Sequence, residues 1–78
     1  MREIEIRLMT VQDVLDFVAL ATSRTFSIRV GSPKHQVNAQ SFMEMFCLNL
    51  REPLITAFSC SDEEYSKFCQ DADRFLAK

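Results

Sequence analysis

The residues of this chain that are capable of covalent or metal chemistry are few and scattered. Cys47, Cys60 and Cys69 are odd in number and widely spaced, and His35 is the single histidine. A zinc site needs closely spaced Cys and His pairs, as in Cys-x-x-Cys, so we predict no metal and no cofactor. Reduced, mostly buried thiols of an intracellular protein are the favoured interpretation. A reactive thiol is the alternative, and nothing in the local sequence supports it.

A catalytic nucleophile requires an activating base beside it, and the sequence shows no such pair. His35 lacks an acidic, Ser or Cys neighbour in the sequence and is predicted to be a solvated residue of a hairpin. Asp62, Glu63 and Glu64 cluster at a predicted helix N-terminus, where the helix dipole accounts for acidic residues. We therefore predict that the chain is not an enzyme.

Length and composition fit one globular domain, residues 1–78. The chain is 47% hydrophobic and 26% charged, with a formal net charge of −2, which favours neither nucleic-acid binding nor a polybasic membrane anchor. No apolar run approaches the roughly 20 residues that span a bilayer. The acidic start, Met-Arg-Glu-Ile-Glu, is not a secretory signal. We expect a cytoplasmic protein.

Four strands are predicted from alternating or β-branched segments. In the first, apolar residues alternate with Glu3, Glu5 and Arg7, which suit a solvated face. A turn with one Gly and one Pro separates the second and third strands, which should form a hairpin. The strands are residues 2–8, 25–30, 35–38 and 54–60, and the turn is residues 31–34.

Two amphipathic helices are predicted from capping residues and helical spacing. Thr10, with Asp13 three residues later, begins the first helix, and Ser61 with Glu64 begins the last. Each is followed by an apolar stripe at i, i+3, i+4 and i+7. The stripes comprise Val11, Val14, Leu15, Val18 and Ala21 in the first helix, and Tyr65, Phe68, Cys69, Ala72, Phe75 and Leu76 in the last.

The middle helix, from Ser41 with Glu44 as its capping partner to about Asn49, is apolar almost all the way round. A helix buried on one side cannot hide so many apolar residues. Met45 and Leu48 make a plausible core edge, which turns the other large side chains outward as a partner-binding patch. The patch comprises Phe42, Met43 and Phe46, and the alternative is that some of these fill the core.

The element order is β-α-β-β-α-β-α. Four strands with alternating polar faces and three helices predict an α+β open-faced sandwich, a four-stranded antiparallel sheet with all helices on one face.

This pattern resembles the bacterial histidine-containing phosphocarrier protein family, HPr, of the sugar phosphotransferase system. The order of elements matches over nearly the whole chain. The closest stretch is Val-Asn-Ala-Gln-Ser-Phe-Met-Glu-Met-Phe-Cys-Leu, residues 37–48. It is similar to the family's regulatory-serine segment, a valine–asparagine pair followed by a serine and then by large apolar residues.

The family's catalytic motif is absent. The family places a histidine at the N-terminus of the first helix, followed two positions later by arginine and then proline. The corresponding residues here are Thr10, Gln12 and Asp13. Without the ring nitrogen and the positive charge, the resemblance implies the fold and a binding surface but argues against phosphoryl transfer.

The resemblance also implies a function. It suggests a regulatory or adaptor protein that docks a phosphotransferase component, a serine kinase, a transcriptional regulator or its own copy through the second helix. Ser41 would be a target of a regulatory kinase, or simply an N-cap. Glu44, one turn away, would repel a phosphate, and an acidic residue at this position departs from the family pattern. The alternative is a ferredoxin-like ligand-binding or subunit module. Strand order discriminates them, since the family has its first strand beside its last, followed by the hairpin.

Overall fold

The computed structural model describes residues 2–32, 34–48 and 51–76. The strands are β1 (Arg2–Ile6), β2 (Ile28–Ser32), β3 (His35–Asn38) and β4 (Leu54–Phe58). The helices are α1 (Val11–Thr22), α2 (Phe42–Met45) and α3 (Asp62–Asp71), and a C-terminal 3₁₀ turn spans Asp73–Phe75. The predicted α+β class and the predicted order of elements are confirmed.

The four strands form one antiparallel sheet in the order β1-β4-β2-β3. Ile6 pairs with Leu54 and Arg2 with Phe58 across β1 and β4. The first strand therefore lies beside the last, and the β2–β3 hairpin follows. This is the order that the HPr resemblance implies.

Side-chain alternation separates a covered face of the sheet from an open one. Ile6, Ile28 and Val30 point into the core and are fully buried, whereas Glu3 and Glu5 are exposed on the open face. Strand alternation places every second residue on the same side. The solvated face predicted from the β1 sequence is therefore present.

Aromatic rings from α1, β4 and α3 meet in the centre of the core. Phe17 and Phe68 are completely buried and pack edge to face, with ring centroids 6.4 Å apart. Phe58 approaches Phe68 at 5.0 Å, and Phe75 approaches Phe17 at 5.4 Å. Edge-to-face pairs add to the stabilisation from area burial, so the apolar stripe of α3 is a core stripe, as predicted.

The bounds of three strands differ from the prediction because pairing partners, not propensity, determine where a ladder starts and stops. β1 ends at Ile6 rather than Leu8, since β4 begins at Leu54, the partner of Ile6. β4 ends at Phe58 rather than Cys60, since both of its partner strands begin opposite Phe58, at Arg2 and Ile28. β2 is shifted to Ile28–Ser32, because its partner strands lie alongside those residues.

Gly31 was predicted to form the turn and instead lies inside β2, paired with Gln36 and Ile55. Its φ of 154° is disfavoured for residues with a Cβ. A Cβ built there would meet the His35 carbonyl oxygen at 2.1 Å. Glycine is thus needed here for the close approach of the neighbouring strand rather than for the turn. Pro33, the other predicted turn residue, lies outside the described residues.

The second and third helices, α2 and α3, also end earlier than their sequence patterns predict. α2 ends at Met45 and continues as a tightened turn, in which the N–H groups of Cys47 and Leu48 donate to the carbonyls of Glu44 and Met45. The predicted end at Asn49 lies outside the described residues. α3 ends at Asp71, and the 3₁₀ turn returns Phe75 to the core.

Candidate docking surface

The N-terminus of α1 is capped as its sequence predicts. The Asp13 backbone N–H donates to Thr10 Oγ1 at 3.0 Å. Thr10 is exposed and has extended backbone geometry, both typical of an N-cap. The Asp13 carboxylate completes the cap by accepting from the Met9 N–H at 3.0 Å.

A guanidinium from the C-terminal 3₁₀ turn reaches the same helix end. Arg74 donates to Asp13 at 2.8 Å and to Asp16 at 3.0 Å, and lies over the Phe75 ring at 4.5 Å. The Met9 N–H, together with Arg74, holds the pKa of Asp13 below its ordinary value. The α1 N-terminus thus already carries a carboxylate anion.

α2 is anchored by one side only. Ser41 Oγ accepts from the Glu44 N–H at 3.4 Å, while Met45 is completely buried and Leu48 packs against the core. Met45 and Leu48 therefore form the predicted core edge. The reciprocal half of the capping box is replaced by a bond from the Ser41 N–H to the Asn38 carbonyl.

Large exposed apolar side chains of the described residues are confined to two segments. On α2 and its following turn, Met43 is 83% exposed and Phe42 and Phe46 are each 46% exposed. At the start of α1, Met9 is 78% and Val11 62% exposed. We call these five residues the apolar face. Val11 was predicted to face the core, and its exposure at the first position of α1 shows that this prediction is wrong.

One hydrogen bond and one cleft place α2 relative to α1 and β1. The Gln40 side chain donates to the Ala21 carbonyl at 3.1 Å, so α2 begins beside the C-terminal end of α1. The turn after α2 lines a cleft with Leu54, the partner of Ile6 in β1. The turn after α2 therefore lies near the end of the strand that leads into α1.

One cleft collects chemistry-bearing residues that are separate in the sequence. His35, Cys47 and Glu52 line it together with Ser32, Leu48, Pro53 and Leu54. Cys47 is the exposed thiol, and Cys60 and Cys69 are half-buried. Across residues 2–32, 34–48 and 51–76, no three His, Cys, Asp or Glu side chains are grouped closely enough to bind a metal ion.

Sequence reasoning found the α2 part of the apolar face but missed Met9, Val11 and Arg74. Met9 follows a strand and Val11 begins a helix, and periodicity is least informative at such junctions. The contact of Arg74 with Asp13 spans 61 positions in the chain, and no local pattern signals it.

No protein-family profile matches the chain, and no curated protein matches it. Among solved structures, it is similar to the crystal structure of HPr-C-His from Thermoanaerobacter tengcongensis. The TM-score is 0.73 with 24% sequence identity, over 92% of this chain and 90% of that chain. The likeness shows that the chain has an HPr-like fold.

Within the described parts of the chain, no helix has both the length and the apolar character needed to cross a membrane.

Proposed function

We propose that this chain is an HPr-like regulatory or adaptor protein that docks a protein partner through the apolar face and does not carry phosphate on a histidine. The observation that carries the proposal is the exposure of five large apolar side chains, which among the described residues are confined to the start of α1 and to α2 with its following turn: Met9, Val11, Phe42, Met43 and Phe46. Exposed Met and Phe clusters usually mark an interaction site.

The charge at the α1 N-terminus supports docking without phosphoryl transfer. Thr10 stands where the resembled family has its histidine, and its hydroxyl is engaged as an N-cap. Asp13 and Asp16 neutralise the nearby Arg74 guanidinium. A transferred phosphoryl group would meet the Asp13 carboxylate, and like charges at close range repel.

Met43→Asp and Phe46→Asp test the docking function. Both side chains are exposed, Met43 on α2 and Phe46 in the turn after it. We therefore expect the fold to persist and association to weaken, since a charge is penalised in a dry interface. Thermal melts report folding. Sedimentation reports association, with the chain alone and mixed with a phosphotransferase component or a serine kinase. Gln70→Asp, which adds the same charge at an exposed position of α3, is the matched control.

Three outcomes are informative. Weakened association of the two α2 variants, with Gln70→Asp unchanged, supports the proposal. Unfolding of both α2 variants would show that these side chains support the core. Unchanged association with an intact fold would contradict docking through α2.

Ser41 is the residue through which a kinase would regulate this docking, as the resemblance implies. Its hydroxyl caps α2 directly before Phe42. Ser41→Asp keeps a good N-cap and places a negative charge beside the apolar face. We expect the variant to fold and to associate more weakly. Association equal to that of the parent would argue against control through this position.

A further inference from the structure

The open face of the sheet carries a cleft where β2 begins and β4 ends, which we call the sheet cleft. It has a volume of about 230 Å³ and is lined by Ser27, Arg29, Gln36, Ala57, Phe58 and Ser59. Arg29 lies opposite Ala57 in the register of β2 with β4, and Ser27 and Ser59 come directly outside the last pair of that register. Ala57 also pairs with Glu3 of β1, so its small side chain leaves a depression between two longer ones.

Arg29 enters this cleft as a cation that no other described residue engages. Each of the other arginines makes a hydrogen bond, ion pair or ring contact, whereas the exposed Arg29 guanidinium has none among the residues that the structure describes. Glu3, the carboxylate in the same row of the sheet, is two strands away, roughly 10 Å by the usual strand spacing, and does not line the cleft. The fork of donors on Arg29 is therefore available to a ligand.

The polar groups that line the sheet cleft are suited to an anion. The guanidinium of Arg29, the hydroxyls of Ser27 and Ser59 and the side-chain amide of Gln36 can all donate hydrogen bonds. No carboxylate is among the residues that line it, whereas two other clefts of the described residues each include a glutamate. In a chain with a net charge of −2, this cleft has a positive lining, which attracts anions.

We propose that the sheet cleft binds a phosphate group, either as inorganic phosphate or on a small phosphate monoester. Arginine binds phosphate with two parallel hydrogen bonds, and two hydroxyls and an amide provide donors for the remaining oxygens. A carboxylate has only two oxygens and one charge, so it would use fewer of these donors. The helices pack on the opposite face of the sheet, so the proposal does not rest on the docking function.

Nuclear magnetic resonance of the ¹⁵N-labelled native chain tests the binding. Inorganic phosphate, glycerol 3-phosphate and acetate are each titrated at constant pH and ionic strength. We expect saturable shifts of the Arg29 Nε–H and of the Ser27 and Ser59 backbone amides with phosphate. Acetate should bind at least about ten-fold more weakly, because it makes fewer charge-assisted bonds. Saturation by either phosphate compound supports the proposal, and the tighter of the two identifies the source of the phosphate group. Saturation by neither compound, or equal binding of acetate, would overturn it.

Three variants locate the site. Arg29→Gln removes the guanidinium at an exposed position and should weaken phosphate binding at least about ten-fold. Lys34→Gln removes one positive charge from the exposed β2–β3 turn, outside the cleft, and should bind phosphate as the parent does. Ala57→Val fills the depression and keeps every charge, so it should also weaken binding. Thermal melts check that each variant is folded.

Two results would contradict this location. Equal weakening by Arg29→Gln and Lys34→Gln would show that phosphate responds only to net charge. Unchanged binding by Arg29→Gln would show that the cleft is not the site, whether or not Ala57→Val folds. Met43→Asp, which alters α2, should bind phosphate as the parent does, so loss of docking and loss of phosphate binding are separate outcomes.

Discussion

Asp13 caps the α1 N-terminus with its backbone and with its side chain. Its N–H donates to Thr10 Oγ1, and its carboxylate accepts from the Met9 N–H and also binds Arg74. One acidic residue thereby connects the β1–α1 loop, the helix and the C-terminal turn. Its charge state is therefore expected to affect stability.

Asp13→Asn should lower the free energy of unfolding at neutral pH by about 1 kcal/mol, the usual effect of a helix cap. The folded-state pKa of Asp13 lies below its ordinary value. The charged form therefore stabilises the fold above the unfolded-state pKa, and this contribution is lost as pH falls through the folded-state pKa. Urea titrations of parent and variant from neutral to acid pH should converge in acid.

Glu3→Gln is the matched control for that experiment, because Glu3 is an exposed carboxylate on the open face of the sheet. Its stability should stay close to that of the parent at all pH values. A stability difference for Asp13→Asn that persists undiminished in acid would show that the charge of Asp13 is not the cause.

Thr56 is the one buried polar side chain of the described core, and its hydroxyl has no hydrogen-bond partner among the described residues. A buried hydroxyl without a partner is costly. Thr56→Val, which replaces the hydroxyl by a methyl, should raise the free energy of unfolding by about 1 kcal/mol. Thr10→Val removes a hydroxyl that caps α1 and should lower the free energy of unfolding. Chemical denaturation of both variants checks the pair.

At the scale of elements, capping and periodicity predicted where the helices start, whereas tertiary contacts decide where they stop. Ser61 and Glu64 form a complete capping box, with bonds of 3.2 and 3.0 Å. The Ser61 N–H lowers the pKa of Glu64 accordingly. The same apolar stripe then continues past the end of α3, because the 3₁₀ turn directs Phe75 onto Phe17.

Phe68→Ala tests whether α3 packs onto the core through Phe68. Phe68 is completely buried and contacts the rings of Phe17, Phe26 and Phe58. Its truncation should cost about 3–5 kcal/mol, which approaches the whole stability of so small a domain. The exposed Phe42 is a matched control, since Phe42→Ala should cost less than about 1 kcal/mol. Similar losses for both variants would contradict the assignment of core and surface.

At the scale of the whole molecule, an HPr-like fold coexists with an α1 N-terminus that Asp13 and Arg74 occupy. We expect that purified protein does not accept phosphate from phosphoenolpyruvate through the general enzyme of the phosphotransferase system. Thr10 has no ring nitrogen, and Asp13 occupies the helix terminus. Mass spectrometry after incubation, with an authentic phosphocarrier as the positive control, checks this. Stoichiometric, acid-labile phosphorylation of any residue would contradict it.

The sequence by itself determined the type and order of elements, the capping residues and the outward side of α2. These properties follow from contacts between residues close in the chain, where periods of 2 and 3.6 residues and capping bonds leave a local signal. The residues of α2 and its following turn illustrate this. Helical spacing alone predicted that Met45 and Leu48 contact the core and that Met43 is exposed.

Only the tertiary structure decided the strand ends, the place of Gly31, the bond of Arg74 to Asp13 and the cleft that both His35 and Cys47 line. Each depends on two segments far apart in the chain, and pairing across a sheet or a cleft leaves no periodic signal in either segment. Gly31 shows the reason most clearly. A side chain at position 31 would clash with the His35 carbonyl of the neighbouring strand, so glycine is required there. The sequence alone offered only the local interpretation of a turn.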